Sequence, residues 1–229
     1  MNPDTHNGYI IIPAYNAEKT LPELLQRIRA CCPFHILVVD DGSKDHTAQI
    51  ADREGVHLIH HPKNMGKGKA LQSGFQYVSE AGGDFAITLD ADLQHPPEAI
   101  PGLVVKYTEA PGTFMIGWRQ RDDNMPLHRQ LSNYITSFLV SRRTGMTIPD
   151  VQCGFRLIPG KYLHHLLNGS KGFVFEAEMV IRLADIGVPV DFYPIPTIYL
   201  KGGHSSIAHI RDTLHFISMF TRSLFRRFS

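Results

Sequence analysis

Cysteine is scarce in these 229 residues: there are three, Cys31, Cys32 and Cys153, without the paired spacing of a zinc site. The sequence therefore argues against a disulfide framework or structural metal of that kind, and the three are expected as reduced, mostly core residues. An excess of one charge is also missing. The 23 Lys and Arg face 22 Asp and Glu, a formal charge of +1 at pH 7, so nothing in the balance calls for nucleic acid as a partner. The 13 histidines add positive charge only below neutral pH. No apolar run reaches the roughly 18 to 20 residues that span a bilayer, and Met1 to Gly8 lacks the basic-then-apolar form of a signal peptide. The chain is expected on the cytoplasmic side. Repeats and low-complexity segments are absent too. With 43% hydrophobic and 20% charged residues, the chain can bury one well-formed core.

In the first half, short β-branched runs alternate with helical patterns. The runs are Tyr9 to Ile12, His35 to Val39, Val56 to His60, Phe85 to Leu89 and Thr113 to Ile116. Between them Leu21, Leu24, Leu25 and Ile28 recur at helical spacing, as do Ala70, Leu71, Gly74, Phe75 and Val78. Continuously apolar runs such as Ile36 to Val39 suit parallel strands covered on both faces. The pattern predicts an α/β fold, a doubly wound and mostly parallel sheet. The second half offers a helix over Leu127 to Thr144, a short run at Phe155 to Ile158, a helix over Phe175 to Ile186 and a strand-like Val188 to Tyr199. From Ile207 to Phe228, apolar residues at spacings of three and four predict an amphipathic helix carrying Arg211, Arg222, Arg226 and Arg227.

Ligands of doubly wound sheets bind outside the carboxyl ends of the strands, and here those ends are polar. The first run ends in Pro13-Ala14-Tyr15-Asn16, the second in Asp40-Asp41-Gly42-Ser43 and the fourth in Asp90-Ala91-Asp92-Leu93-Gln94. Two aspartates one residue apart at a strand end can aim oxygens at a hard divalent cation, which in turn can bridge a diphosphate, and Gln94 adds a neutral oxygen. The alternative use of both turns is helix capping, with Ser43 or Asp45 capping the helix that follows. Asn64-Met65-Gly66-Lys67-Gly68 matches neither the phosphate-loop nor the dinucleotide pattern. It is either a basic turn that opens a helix or a contact for donor phosphates. The pairs His60-His61 and His164-His165 are not read as metal ligands, because adjacent side chains on a strand or helix point apart.

Taken in order, these four motifs resemble the family-2 inverting glycosyltransferases of GT-A fold, over about residues 9–97. Gly117-Trp118-Arg119, Arg129 with Ser132, Asp150 to Leu157 and Lys171 to Glu178 look like the branch of dolichyl-phosphate mannosyltransferases and polyprenyl-phosphate glycosyltransferases, and extend the resemblance to about Ser206. Two positions depart from that branch: Ala17 followed by Glu18 where a Glu is common, and Leu200 with Lys201 adjacent where an Arg is common.

The resemblance implies a nucleotide-diphosphate sugar, GDP- or UDP-linked, held with Mg²⁺ or Mn²⁺ on Asp90, Asp92 and Gln94. It implies donor contacts at Pro13, Tyr15, Val38, Asp40, Asp41, Lys67, Ala91, Lys171 and Lys201, with Asp40 accepting from base or ribose. Arg119, Arg129 and Ser132 would hold the phosphate of a polyprenyl-type acceptor, Arg by two parallel hydrogen bonds. A lipid phosphate is already anionic, so no strong base is needed. If the acceptor were instead a hydroxyl on a glycan or lipid, Asp150 would be the base; otherwise Asp150 braces its loop. Tyr15 as core, and Arg119 or Arg129 paired with Asp122 or Asp123, are the structural alternatives. The expected organisation is a GT-A catalytic domain over 1–206 and an amphipathic helix over 207–229. That helix is either part of the same globule, a contact in a homo-oligomer, or a peripheral membrane contact beside a lipid acceptor. A non-catalytic nucleotide-sugar binding protein is the remaining alternative.

Overall fold

The computed structural model describes residues 6–119, 127–196 and 209–225, with the side chains of 127–129 and 209–212 left aside. Seven strands form one sheet: β1 (Gly8–Ala14), β2 (His35–Asp40), β3 (His57–His60), β4 (Phe85–Thr88), β5 (Phe114–Arg119), β6 (Arg156–Pro159) and β7 (Val190–Ile195). Their spatial order is β3-β2-β1-β4-β6-β5-β7, parallel except for β6, which runs antiparallel to both β4 and β5. The helices are α1 (Leu21–Cys31), α2 (Thr47–Arg53), α3 (Lys67–Glu80), α4 (Ile100–Glu109), α5 (Leu127–Thr144), α6 (Val174–Asp185) and α7 (His209–Phe225).

Strand alternation divides the core between the two faces of the sheet. Ile10, Ile12 and Val38 pack against Leu21, Leu24, Leu25 and Ile28 of α1 and Leu103 and Val104 of α4. On the other face Tyr9, Ile11, Leu37 and Val39 meet Phe75 and Val78 of α3, in a core that extends to Phe175 and Val180 of α6. Because each inner strand is buried on both sides, runs such as Ile-Ile-Ile in β1 carry no polar alternation. Pro22 and Pro101 stand in the first turns of α1 and α4, where a missing N–H costs nothing.

The expected doubly wound, mostly parallel sheet is present, with differences at its margins. β5 continues to Arg119, β7 is described only over Val190–Ile195, and α2 and α4 were not among the expected helices. The antiparallel sense of β6 is not visible in a four-residue apolar run, and it matters: it brings the residues before Arg156 to the edge where β1, β2, β4 and β5 end. α7 lays Met219 and Ser223 inward against the globule, with Phe216 and Phe220 partly covered, and leaves Leu214, Ile217, Leu224 and Phe225 exposed. Arg226, Arg227 and Phe228 lie outside the described residues.

Candidate active site

At the carboxyl edge of the sheet, β1 and β4 diverge toward their loops between β2 on one side and β6 on the other. The order reverses beside β1, which is where ligands of such sheets bind. Asp90, two residues beyond β4, sits at the centre of this crevice. Lys67 Nζ, from the first residue of α3, lies 2.6 Å from Asp90 Oδ1 and 2.8 Å from Glu176 Oε1 of α6. Burial pushes the Lys67 ammonium toward neutrality, but the two carboxylates outweigh it and raise its pKa above the ordinary lysine value. The same ammonium holds the Asp90 carboxyl below its ordinary value against the opposing effect of burial. A Cβ on Gly154 would stand 2.6 Å from Asp90 Oδ2, so the loop before β6 can close on the aspartate only with glycine there.

Asp92 lies on the exposed side of the same turn. Its Oδ1 accepts from the Gln94 backbone N–H at 3.0 Å across Leu93, which takes a positive φ of 60°. Loss of surrounding water and then the Asp90 charge push its carboxyl upward, so the ionised pair is short of positive charge at this point. Two carboxylates at a strand end, one of them facing outward, with an amide nearby, suit Mg²⁺ or Mn²⁺, which keep further positions for water and phosphate oxygens. The set fits the group. No cluster of three or more His, Cys, Asp or Glu forms a metal site among the described residues.

The β2 turn is differently built. Asp40 has no exposed side-chain surface; its Oδ1 accepts from Ser43 N and its Oδ2 meets His60 Nδ1 at 2.7 Å. Asp41 accepts from Met65 N and Gly66 N at 2.9 and 2.7 Å and meets His61 Nδ1 at 2.7 Å. This pins the turn that starts α3, where Gly66 takes a φ of 93°. Ser43 Oγ accepts from Asn16 N, and Asp45 accepts from Thr47 N at the start of α2. Pro13 is half-buried, Val38 fully buried, Ala91 buried and Tyr15 exposed.

At the end of β5, Arg119 Nε and one terminal nitrogen donate to the two oxygens of Asp150 at 2.6 and 2.9 Å. Asn133 Nδ2 of α5 and the Gln152 backbone add two more donors. Burial alone would raise the Asp150 carboxyl, but Arg119 leads the group that holds it below the ordinary value. Ser132 is exposed on α5; Arg129 lies in the first turn of that helix with its side chain outside the described atoms, and Lys201, Asp122 and Asp123 lie outside the described residues. Lys171 is exposed and lines an open groove of about 390 Å³ with Arg182, His215 and Arg222. Its loop touches the site through the backbone, because Gln72 Nε2 donates to Ser170 O and Gly172 packs beside Gly66.

Four residues absent from the expected set belong to this edge. Glu176 is the second counter-charge of Lys67. His60 covers Asp40, and the signal for it was available: in parallel register the last residue of β3 faces the last residue of β2. His95 is buried three residues after Asp92, with Nδ1 unpartnered; burial lowers its pKa to about 4, so the ring is neutral. Arg156, fully buried, donates to Val151, Cys153 and Glu176 carbonyls and ties the β6 loop to α6.

These features agree with what the sequence and fold are similar to. A sequence model described as glycosyl transferase family 2 matches residues 9–167. The chain is 36% identical over 170 residues to an undecaprenyl-phosphate 4-deoxy-4-formamido-L-arabinose transferase of Klebsiella pneumoniae, covering 69% of this chain and 50% of that protein, so it spans about half of that relative's length. It is 34% identical over 193 residues to an uncharacterized protein of Methanocaldococcus jannaschii, covering 79% of this chain and 83% of that one. In fold, it superposes on glucosyl-3-phosphoglycerate synthase of Mycobacterium tuberculosis in complex with UDP with a TM-score of 0.75 at 18% identity, over 96% of this chain and 80% of that one. The same synthase has been solved with Mn²⁺, UDP and glucosyl-3-phosphoglycerate. On the match over residues 9–167 and the shared architecture, this chain belongs to glycosyl transferase family 2 and carries its GT-A fold.

Proposed function

We propose that the chain is an inverting, metal-dependent glycosyltransferase that moves a hexose from a GDP- or UDP-linked donor to a polyprenyl-phosphate acceptor. The observation that carries the reading is the convergence around Asp90: Lys67 and Gly154 meet it from distant segments, Glu176 shares its lysine, and the Arg119–Asp150 pair stands at the same edge. Mg²⁺ or Mn²⁺, held by Asp90, Asp92 and Gln94, would neutralise charge gathering on the departing diphosphate. Lys67 is placed to share that task, since a fixed cation near a leaving group stabilises the transition state more than the ground state. Pro13 and Tyr15 line the nucleoside end, Asp41 and Ala91 shape its turns, and Lys171 and Lys201 complete the donor contacts; Val38, fully buried against α1 and α4, supports the strand from behind and does not touch the donor.

On the acceptor side, Arg119 meets the lipid phosphate, together with Arg129 and Ser132. Asp150 aims Arg119 and is not the base: a carboxylate held ionised by a guanidinium and two further donors is a poor proton acceptor, and a phosphate nucleophile needs none. The lipid also explains the surface. Leu131, Tyr134, Ile135 and Phe138 make an exposed apolar stripe on α5, a helix with no acidic residue, and α7 exposes four more large apolar side chains. This is a peripheral membrane contact, on the cytoplasmic face, in a chain where no helix among the described residues is long and apolar enough to cross a bilayer.

The test is release of nucleotide diphosphate from a panel of activated sugars, with and without undecaprenyl phosphate, Mn²⁺ and chelator. Release that requires both lipid phosphate and metal is the expected result. Release without the lipid, or with a hydroxyl acceptor alone, overturns the acceptor assignment.

A further inference from the structure

A nucleotide arriving at the end of β2 cannot meet Asp40 first. The Asp40 side chain has no exposed surface, whereas 55% of the His60 side chain beside it is exposed. The two stand in register at the carboxyl ends of neighbouring parallel strands, and Tyr15, 44% exposed, follows β1 on the same edge. Asp40 spends one oxygen on Ser43 N and the other on His60 Nδ1. An ionised carboxylate only accepts, so the proton of this bond belongs to His60 Nδ1. In the neutral ring Nε2 is then an unprotonated acceptor, and its identity is fixed from behind by Asp40. This differs from His61, whose Nε2 is occupied by Ser73 Oγ at 2.9 Å and whose ring is buried.

We propose that His60 reads the nucleobase of the donor: its Nε2 accepts a hydrogen bond from a ring N–H, so the site takes bases that carry one on the pairing edge and discriminates against those that present a bare ring nitrogen there. Uracil, with N3–H, and guanine, with N1–H, satisfy it. Cytosine and adenine place two acceptors face to face. The inference deepens the proposed function and rests on it, because it assumes a nucleotide donor at this edge. Asp40 thereby becomes a positioning residue that acts through His60, and the base meets a heterocycle.

The experiment is titration calorimetry of the full chain with UDP, GDP, CDP and ADP, each with Mn²⁺, for wild type, His60→Phe and His60→Gln. Wild type should bind UDP or GDP about tenfold more tightly than CDP or ADP, the worth of one well-made hydrogen bond. His60→Phe keeps a ring but loses the acceptor and should reduce that ratio to near one; His60→Gln, which regains an acceptor oxygen, should recover part of it. Should His60→Phe misfold, ¹⁵N NMR of the wild-type imidazole supplies the readout: Nε2 should be the unprotonated nitrogen and its resonance should move when UDP or GDP binds. A ratio unchanged in His60→Phe, or a proton found on Nε2, overturns the assignment of His60 while leaving a nucleotide donor standing. Failure of the wild type to bind any of the four nucleotides overturns both.

Discussion

Two buried aspartates at the same sheet edge are held by opposite means. Asp40, at β2, leans on an imidazole and a backbone N–H; Asp150, beside β5, receives both arms of a permanent guanidinium and an amide. The first arrangement leaves a hydrogen-bonding ring at the surface. The second fixes a cation, since Arg cannot surrender its proton. Surface character follows the same division. Of the large apolar side chains exposed among the described residues, those on α5 and α7 outnumber those of the donor half, where Tyr15 and Val105 stand alone before β5. One side of the crevice exposes a hydrogen-bonding ring, and the other holds a fixed charge beside an exposed apolar surface.

The comparison can be broken, beginning at the β4 turn that lies between the two sides. Asp92→Asn should lower nucleotide-diphosphate release about 10²- to 10³-fold in Mn²⁺, the scale of losing one aimed charge on a leaving group; loss below tenfold would separate catalysis from this turn. Arg156→Met should cost about 3 kcal/mol in a denaturant melt, because three buried carbonyls lose their donor. Asp150→Asn should reduce kcat/KM for the lipid about 10- to 100-fold while donor KM stays within about twofold, as expected when a group that aims a reactive residue is lost. Near-complete loss with ordinary donor binding would instead make Asp150 a base.

Acid should weaken the β5 side. Asp150 titrates below the ordinary value of 3.8, so the unfolded chain binds its proton first; the stability this pair contributes is present above that value and fades as pH falls through the lower folded one. Melting temperature should therefore drop more steeply below about pH 4 in wild type than in Asp150→Asn. The smallest effect is on the surface: if the proposed membrane contact holds, Ile135→Ser with Ile217→Ser should weaken sedimentation with anionic vesicles by about tenfold or less, each side chain being only about half exposed, while donor binding is unchanged.

Much of the donor half was legible because its strands are consecutive and parallel: an apolar run ends, and its next residues are the site. Asp90, Asp92 and Asp40 end or follow such runs, whereas Lys67, seven residues past β3, was open between a basic turn and a phosphate contact. The bonds among them could not be read. Asp40 with His60 is a contact across 20 residues, readable only once β2 and β3 are known to pair in register. Arg119 meets Asp150 because an antiparallel β6 returns that loop to the β5 end, a contact not visible in the sequence; Asp122 and Asp123, its other expected partners, lie outside the described residues. His95 carried no periodic signal, and its burial is a property of the closed turn.

The reach of Lys67 also has a temporal meaning. Its second carboxylate, on Glu176, is 109 residues farther along the chain, so that ammonium finds both of its counter-ions only after α6 has been synthesised. Until then a growing chain can hold this lysine by Asp90 alone, and the two faces of the crevice are joined through it only when that helix arrives.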